Sequence, residues 1–238
     1  MKKAIIIGAT SGIGRSLAEK LVSEGYLVGI TGRREEILKN IEENHLGKVF
    51  ALKMDIQDVS SIQSLGNELI NKLGGLDVLI ISAGIGDENK ELDFSIENNV
   101  IKTNIQGFTC VADWGMSYFK KQGYGHIVNI SSVAGIRGNG LAPSYNASKA
   151  YQINYLEGLR LNAYKSKKTI YVTDVRPGFV DTEMAKGDGL FWVSPVEKAA
   201  EQIYTAIKQK KNTAYISKRW KLIGYLLKII PYSILKKL

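Results

Sequence analysis

Tyr145 and Lys149 stand four residues apart at the end of the run Ser131 to Lys149, which supplies a hydroxyl, a phenol and an ammonium in that order. With a helix starting near Tyr145, the two side chains lie on one face about one turn apart. A phenol titrates near ~10, and a fixed ammonium beside it favours phenolate and lowers that value. Such a tyrosine can pass a proton to or from an alcohol or carbonyl oxygen. Tyr-x-x-x-Lys also arises by chance on helices, so its meaning depends on what positions it.

A second group of residues sets the context. The apolar run Lys3 to Ile7 leads directly into Gly8-Ala9-Thr10-Ser11-Gly12-Ile13-Gly14, then a helical pattern over Arg15 to Ser23, a stop at Gly25 and another apolar run from Tyr26 to Thr31. Gly8, Gly12 and Gly14 permit a tight turn and close backbone approach, so that N–H groups along Thr10 to Gly14 can meet a pyrophosphate at the helix N-terminus. A glycine trio alone says little. Placed after a strand and opening the helix of a strand-helix-strand unit, it predicts dinucleotide binding.

Further apolar runs, at Val49 to Met54, Val78 to Ser82, His126 to Ser131, Ile170 to Val175 and Thr213 to Ser217, alternate with helical patterns. The helical patterns cover Ser60 to Leu73, Ser95 to Lys121, Tyr145 to Lys165 and Pro195 to Lys210. That alternation predicts an α/β fold, a Rossmann-type doubly wound parallel sheet with both faces covered, as a single domain over residues 1–217. At 238 residues and 45% hydrophobic composition the chain can bury a full core. Lone Cys110 excludes an intrachain disulfide framework, and His45 and His126 form no metal-ligand pattern with it, so no metal is expected. The apolar start is too short for a signal peptide, and no run approaches a membrane span, which predicts a cytoplasmic chain.

The motifs together resemble the classical short-chain dehydrogenase/reductase family, over nearly all of residues 1–217. The glycine spacing is Gly-x-x-x-Gly-x-Gly, and the family's other motifs follow in order. The resemblance implies that Asp55 binds the adenine amino group, with Ile56 beside it, and that Ser82-Ala83-Gly84 stands where the family usually has Asn-Ala-Gly. It implies a catalytic tetrad of Asn104, Ser132, Tyr145 and Lys149. Ser132 would hydrogen-bond the substrate oxygen and Tyr145 transfer the proton. Lys149 would hold the nicotinamide ribose and lower the tyrosine pKa, and Asn104 would hold a water linked to Lys149. Pro177, Gly178, Val180 and Thr182 match the segment over the nicotinamide. Ser132 rather than Ser131 lies thirteen residues before the tyrosine, and strand alternation turns the two serines to opposite sides. Two departures, Ile7 for a threonine and Ser82 for the asparagine, fall on scaffolding and put the local rigidity of the loop in question.

Charge speaks to the cofactor. About 20 residues past the last loop glycine, dinucleotide folds carry an acid for the ribose diol or an arginine for a 2′-phosphate. Here Arg33 and Arg34 occupy that place, which predicts NADP(H) over NAD(H), with a solvated arginine pair as the alternative. The expected function is therefore NADP(H)-dependent interconversion of a carbonyl and a secondary alcohol. A 3-oxoacyl thioester reductase is an alternative, as is a non-catalytic nucleotide-sensing or membrane-associated binding protein.

Leu141, Ala142 and Pro143 suggest an uncharged substrate wall. Phe191 and Trp192 would line or cap that pocket, or else stack on the body, and Gly187 and Gly189 suggest a loop that moves. The net charge of +9 lies entirely after residue 201: nine Lys and Arg stand there with no Asp or Glu, leaving 23 basic against 23 acidic residues before it. Residues 218–238 read as a basic amphipathic tail, suited to peripheral contact with the inner membrane face or to packing on the body or a neighbouring subunit. Nucleic acid is not expected as a partner. The resemblance implies a homodimer or homotetramer.

Overall fold

The computed structural model describes residues 1–185 and 190–236; the expectation placed on Gly187 and Gly189 lies outside them. Among the described residues seven parallel strands form one sheet in the order β3-β2-β1-β4-β5-β6-β7. They are β1 Lys3–Ile7, β2 Leu27–Gly32, β3 Val49–Lys53, β4 Val78–Ile81, β5 Tyr124–Ile130, β6 Thr169–Pro177 and β7 Thr213–Ile216. Every apolar run read as a strand is one.

Strand alternation divides the core in two. On β1, Ala4 and Ile6 join one buried cluster with Leu17, Leu38 and Ile203, while Ile5 and Ile7 join the other with Leu69, Phe108 and Leu156. The first cluster is covered by α1 (Gly12–Ser23), α2 (Glu35–Asn44) and α7 (Val196–Lys208), the second by α3 (Ile62–Leu73), α5 (Phe108–Gln122) and α6 (Pro143–Lys165). Each isoleucine so buried contributes about 1.5–3 kcal/mol. With both faces closed, only the strand ends are open to a ligand.

Helix α2 was not among the expected helices. Its segment EEILKNIEEN buries only Leu38 and Ile41, too few apolar positions for the pattern to stand out. The helix expected over Ser95 to Lys121 is α4 (Phe94–Ile101), a wide π-turn at Lys102–Gly107, and then α5. Gly107 lies against the Ile56 carbonyl, where a Cβ would collide. Such single π-turns mark places where a helix is adjusted to aim a residue, here Asn104. Pro143 at the first turn fixes the start of α6. After β7 the chain continues into α8 (Arg219–Ile229) and the short α9 (Tyr232–Leu235).

His126 on β5 is buried, with Nε2 2.7 Å from Thr173 Oγ1. Burial, helped by the charge of Lys210, pulls its pKa down to about 4. A lowered value means that the unfolded chain takes up the proton first. This histidine therefore costs no stability above its unfolded pKa and progressively more as pH falls from about 6.5 to about 4, up to about 3 kcal/mol. Urea unfolding at several pH values in that window should show His126→Asn with a shallower loss than wild type; equal slopes would place the acid sensitivity elsewhere.

Candidate active site

From β1 the chain runs outward to β2 and β3, then crosses back to β4 on the other side of β1, and so on to β7. The crevice between β1 and β4 is the switch point where open α/β sheets bind ligands. The register pairs Ile7 with Ile81, so the loops that follow leave the sheet side by side. Ser82 N and Ala83 N both donate to the Ile7 carbonyl, at 2.9 and 2.8 Å, and Gly8 N and Ala9 N to that of Thr31. Backbone bonds thus hold the loop whose rigidity Ile7 and Ser82 put in question. Gly8 (φ +90°) and Gly12 (φ +52°) adopt the left-handed conformation that glycine accepts most readily. A Cβ on Gly8 would also lie 2.6 Å from the Ala83 backbone. The Ile13 side chain packs against the core.

A cleft of about 590 Å³ opens at the N-terminus of α1, lined among others by Thr10, Ser11, Arg15, Arg34, Thr182 and Glu183. Arg34 donates to Thr10 Oγ1 at 2.9 Å and to Ser11 Oγ at 2.6 Å, and pairs with Glu183 at 3.6 Å. Both arginines are exposed, but they differ in direction: Arg34 folds back onto the glycine loop, while Arg33 is outside that lining. Arg15, directly after Gly14, is a second guanidinium in the cleft, paired with Glu19 at 3.2 Å, and its place inside the first helix gives no sign of this in the sequence. Asp55 and Ile56 follow β3; Asp55 is exposed and accepts from Gln57 N at 3.0 Å, whereas the Ile56 side chain is core.

The proton-handling cluster stands where β4, β5 and α6 meet. Ser131 is turned to Asp174 and the Val175 carbonyl, and Ser132 caps the next turn by accepting from Ala134 N at 3.1 Å, so the two serines do part. Lys149 is buried, and its Nζ donates to the Ile130 carbonyl at 3.0 Å and to Gln152 Oε1 at 3.2 Å. Its Nζ lies 5.7 Å from the centre of the Tyr145 ring. Gly84 and Gly86 carry the loop after β4 across this cluster: a Cβ on Gly84 would sit 3.3 Å from Lys149 Nζ, and one on Gly86 would strike the Tyr145 ring.

One expectation changes here. Burial raises the Tyr145 phenol above its ordinary value, with only the Ser132 hydroxyl pulling the other way, so the lowering expected from Lys149 is not what this geometry gives. Burial also pulls Lys149 down to about 8, against the opposing charge of Asp174. Asn104, with its side chain, accepts from Ile85 N and donates to the Ile85 carbonyl and Ser148 Oγ. Its carbonyl accepts from Gln152 Nε2 at 2.9 Å, and Gln152 Oε1 accepts from both Lys149 and Asn129. Gln152 is thus the direct link between Lys149 and Asn104. Its position three residues after Lys149, on the same helix face, was the available clue.

Pro177 ends β6, and Gly178 N donates to the Ile216 carbonyl at 2.6 Å. Val180 bridges to Ser194, and Thr182 approaches Gly12. Phe191 stacks on Trp220 of α8 at 5.1 Å, and Phe179 meets the same indole edge-on at 5.2 Å. Phe191 and Trp192 therefore pack on the body while remaining partly exposed.

The glycine loop and the helix N-terminus fit a nicotinamide dinucleotide by shape, with Arg34 over Thr10 and Ser11 beside them. Comparison with known proteins agrees. Residues 2–190 match the family model described as short chain dehydrogenase. A 3-oxoacyl-(acyl-carrier-protein) reductase of Aquifex aeolicus is 35% identical over 189 residues, 77% of this chain and 75% of that protein. The solved structure titled ElxO with NADP bound superposes with a TM-score of 0.80 at 25% identity, over 90% of this chain and 96% of its own. A short-chain dehydrogenase/reductase from Burkholderia phymatum in complex with NAD shares the fold at a TM-score of 0.86 and 20% identity, over 94% and 92% of the two chains. The chain belongs to the classical short-chain dehydrogenase/reductase family of nicotinamide-nucleotide-dependent oxidoreductases.

Proposed function

We propose that this protein is an NADP(H)-dependent reductase of apolar carbonyl compounds, with Tyr145 as the proton donor. The observation that carries the reading is the half-buried Tyr145, with Ser132 beside it and the Lys149 amine beneath, at the switch-point crevice opened by the glycine loop. The nicotinamide supplies the hydride. A phenol raised by burial keeps its proton at neutral pH, as an acid waiting for a carbonyl oxygen must. The Ser132 hydroxyl donates to the same oxygen as charge develops on it. Lys149, held by Ile130 and Gln152, offers its remaining N–H to the ribose and its charge to the phenolate formed as the proton leaves. Asn104 and Gln152 keep the amine in place.

The preference for the 2′-phosphate form rests on Arg34 bound to Thr10 and Ser11, with Arg15 in the same cleft and Arg33 exposed next to it. A 3-oxoacyl thioester is a second substrate candidate, supported by the description of the Aquifex relative. We further propose a cytoplasmic homo-oligomer formed through α5 and α6, supported by the exposed Tyr151, Leu161 and Tyr164 on α6.

In assays of NADPH consumption across ketones, aldehydes and acyl thioesters, Tyr145→Phe should lower kcat by about 100-fold to 10,000-fold with nucleotide affinity unchanged. Near-normal turnover by that variant would overturn the mechanism, and failure of every carbonyl class with wild type would favour a binding protein. Arg34→Ala should weaken NADPH binding by about tenfold to a hundredfold, the worth of a charged hydrogen bond, while leaving NADH almost untouched; wild-type protein that binds NADH as tightly as NADPH would refute the preference. The pH profile probes the Lys149 network. A lysine lowered to about 8 is charged below that pH, so kcat/KM for NADPH should fall above it. Gln152→Glu, placing a carboxylate beside the ammonium, should move that falling limb upward by about 1 pH unit or more; an unmoved limb would assign it to another group.

A further inference from the structure

We propose that the outer face of α8, with the Phe191–Trp192–Val193 segment seated on its first turn, docks on an anionic phospholipid bilayer. The helix is apolar on two opposite sides, and the body takes only one. Trp220, Ile223, Gly224 and Leu227 recur at the helical i, i+3, i+4, i+7 spacing and face inward, with Trp220 only 4% exposed and Gly224 against Tyr215 and Ile136. Arg137 fixes the far end by donating to the carbonyls of Leu227 and Ile230, both at 2.7 Å. Body packing is thereby satisfied, yet Leu222, Tyr225, Leu226 and Ile229 repeat the same spacing on the opposite side, from 53% to 78% exposed. Tyr232 and Ile234 of the following α9 are exposed as well, as are Phe191, Trp192 and Val193, whose two aromatic rings lie against Trp220 at the first turn of α8. The Arg219 guanidinium lies 5.8 Å from the Trp192 ring at that junction.

Charge decides the occupant. Lys221 and Lys228 flank the outer stripe on one side and Arg219 on the other, and no Asp or Glu occurs after residue 201 to neutralise them. A second copy docking through the same face would set these charges against one another, which disfavours self-association. A nucleic acid would leave the aliphatic stripe facing phosphate. Anionic headgroups over an acyl boundary satisfy both the aliphatic stripe and its basic flanks. At eleven residues α8 is about 16 Å long, so it lies on a bilayer rather than across it. Among the described residues no helix is long and apolar enough to cross a membrane.

The inward face of the same helix touches Phe179, next to Gly178, through Trp220, so a bilayer on the outer face lies about one helix width from this segment of the site. Resting on the reductase reading above, this makes lipid-dissolved carbonyls the accessible substrate class. The test uses the full chain, sedimented with vesicles of phosphatidylcholine alone or mixed with phosphatidylglycerol, at low and high salt. Wild type should bind the mixed vesicles only, and less at high salt. The double variants Leu226→Glu/Ile229→Glu and Lys221→Glu/Lys228→Glu should each bind at least about tenfold more weakly. Both should keep wild-type circular dichroism and wild-type turnover of a small soluble ketone. Absent wild-type binding, equal binding to neutral vesicles, or variants that bind as wild type would overturn the proposal. A concentration-dependent dimer in sedimentation velocity, lost in the variants and unaccompanied by vesicle binding, would overturn it in favour of a second copy. Vesicle binding is read without turnover, so failure of the reductase reading would leave the bilayer result standing.

Discussion

A lysine amine buried to 4% exposure is the constraint around which this structure is arranged. An isolated buried ammonium is costly enough that it sheds its proton unless it is paired and hydrogen-bonded. Around Lys149 the fold supplies the Ile130 carbonyl at the end of β5, the Gln152 amide one turn along α6, and the charge of Asp174 on β6. Gln152 is itself fixed by Asn129 and by the Asn104 carbonyl, and the Asn104 side chain clamps the loop after β4 through Ile85. The ends of β4 and β5, the flank of β6, one helix and a π-turn therefore meet around one side chain. Such a hydrogen-bonded polar network specifies a geometry, because each member left unpaired would carry its own desolvation cost.

The rest of the architecture delivers those strand ends. Parallel strands with both faces covered leave binding to the strand ends and the loops beyond them, and the change of direction between β1 and β4 separates two such loops into a crevice. Small residues do the close work there. Gly8 meets the Ala83 backbone, Gly84 passes Lys149, and Gly86 passes Tyr145, so the nucleotide loop and the proton-handling cluster sit within one side chain's width of each other.

Much of this could be read from residue order. Apolar runs gave all seven strands because a buried parallel strand needs no alternation to be recognised. What escaped was set by contacts distant in sequence or by thin patterns: α2 buries only two side chains, and the π-turn answers to Gly107 against Ile56. Arg33 and Arg34 are adjacent and chemically identical, and only the fold reveals that Arg34 turns to the glycine loop. Lys149 was expected to lower the tyrosine pKa because proximity of charge was weighed without desolvation. The C-terminal helix reads as a choice between membrane, body and neighbouring subunit, since a helical wheel does not say that the body takes only one of its two apolar stripes.

The opposed shifts at Tyr145 and Lys149 carry one more consequence. Burial favours the neutral member of each acid–base pair, so it holds the proton on the phenol and loosens it from the amine. The two groups cannot then be tuned independently: whatever raises the local dielectric or brings negative charge near the amine restores the ammonium, and a restored ammonium makes the phenolate cheaper to form. A substrate oxygen that accepts the proton from Tyr145 thus draws on the same electrostatics that hold Lys149 in place. This is a physical reason for placing Gln152, an uncharged amide, beside the amine. A carboxylate there would fix the ammonium permanently and spend on itself the charge that the phenolate needs.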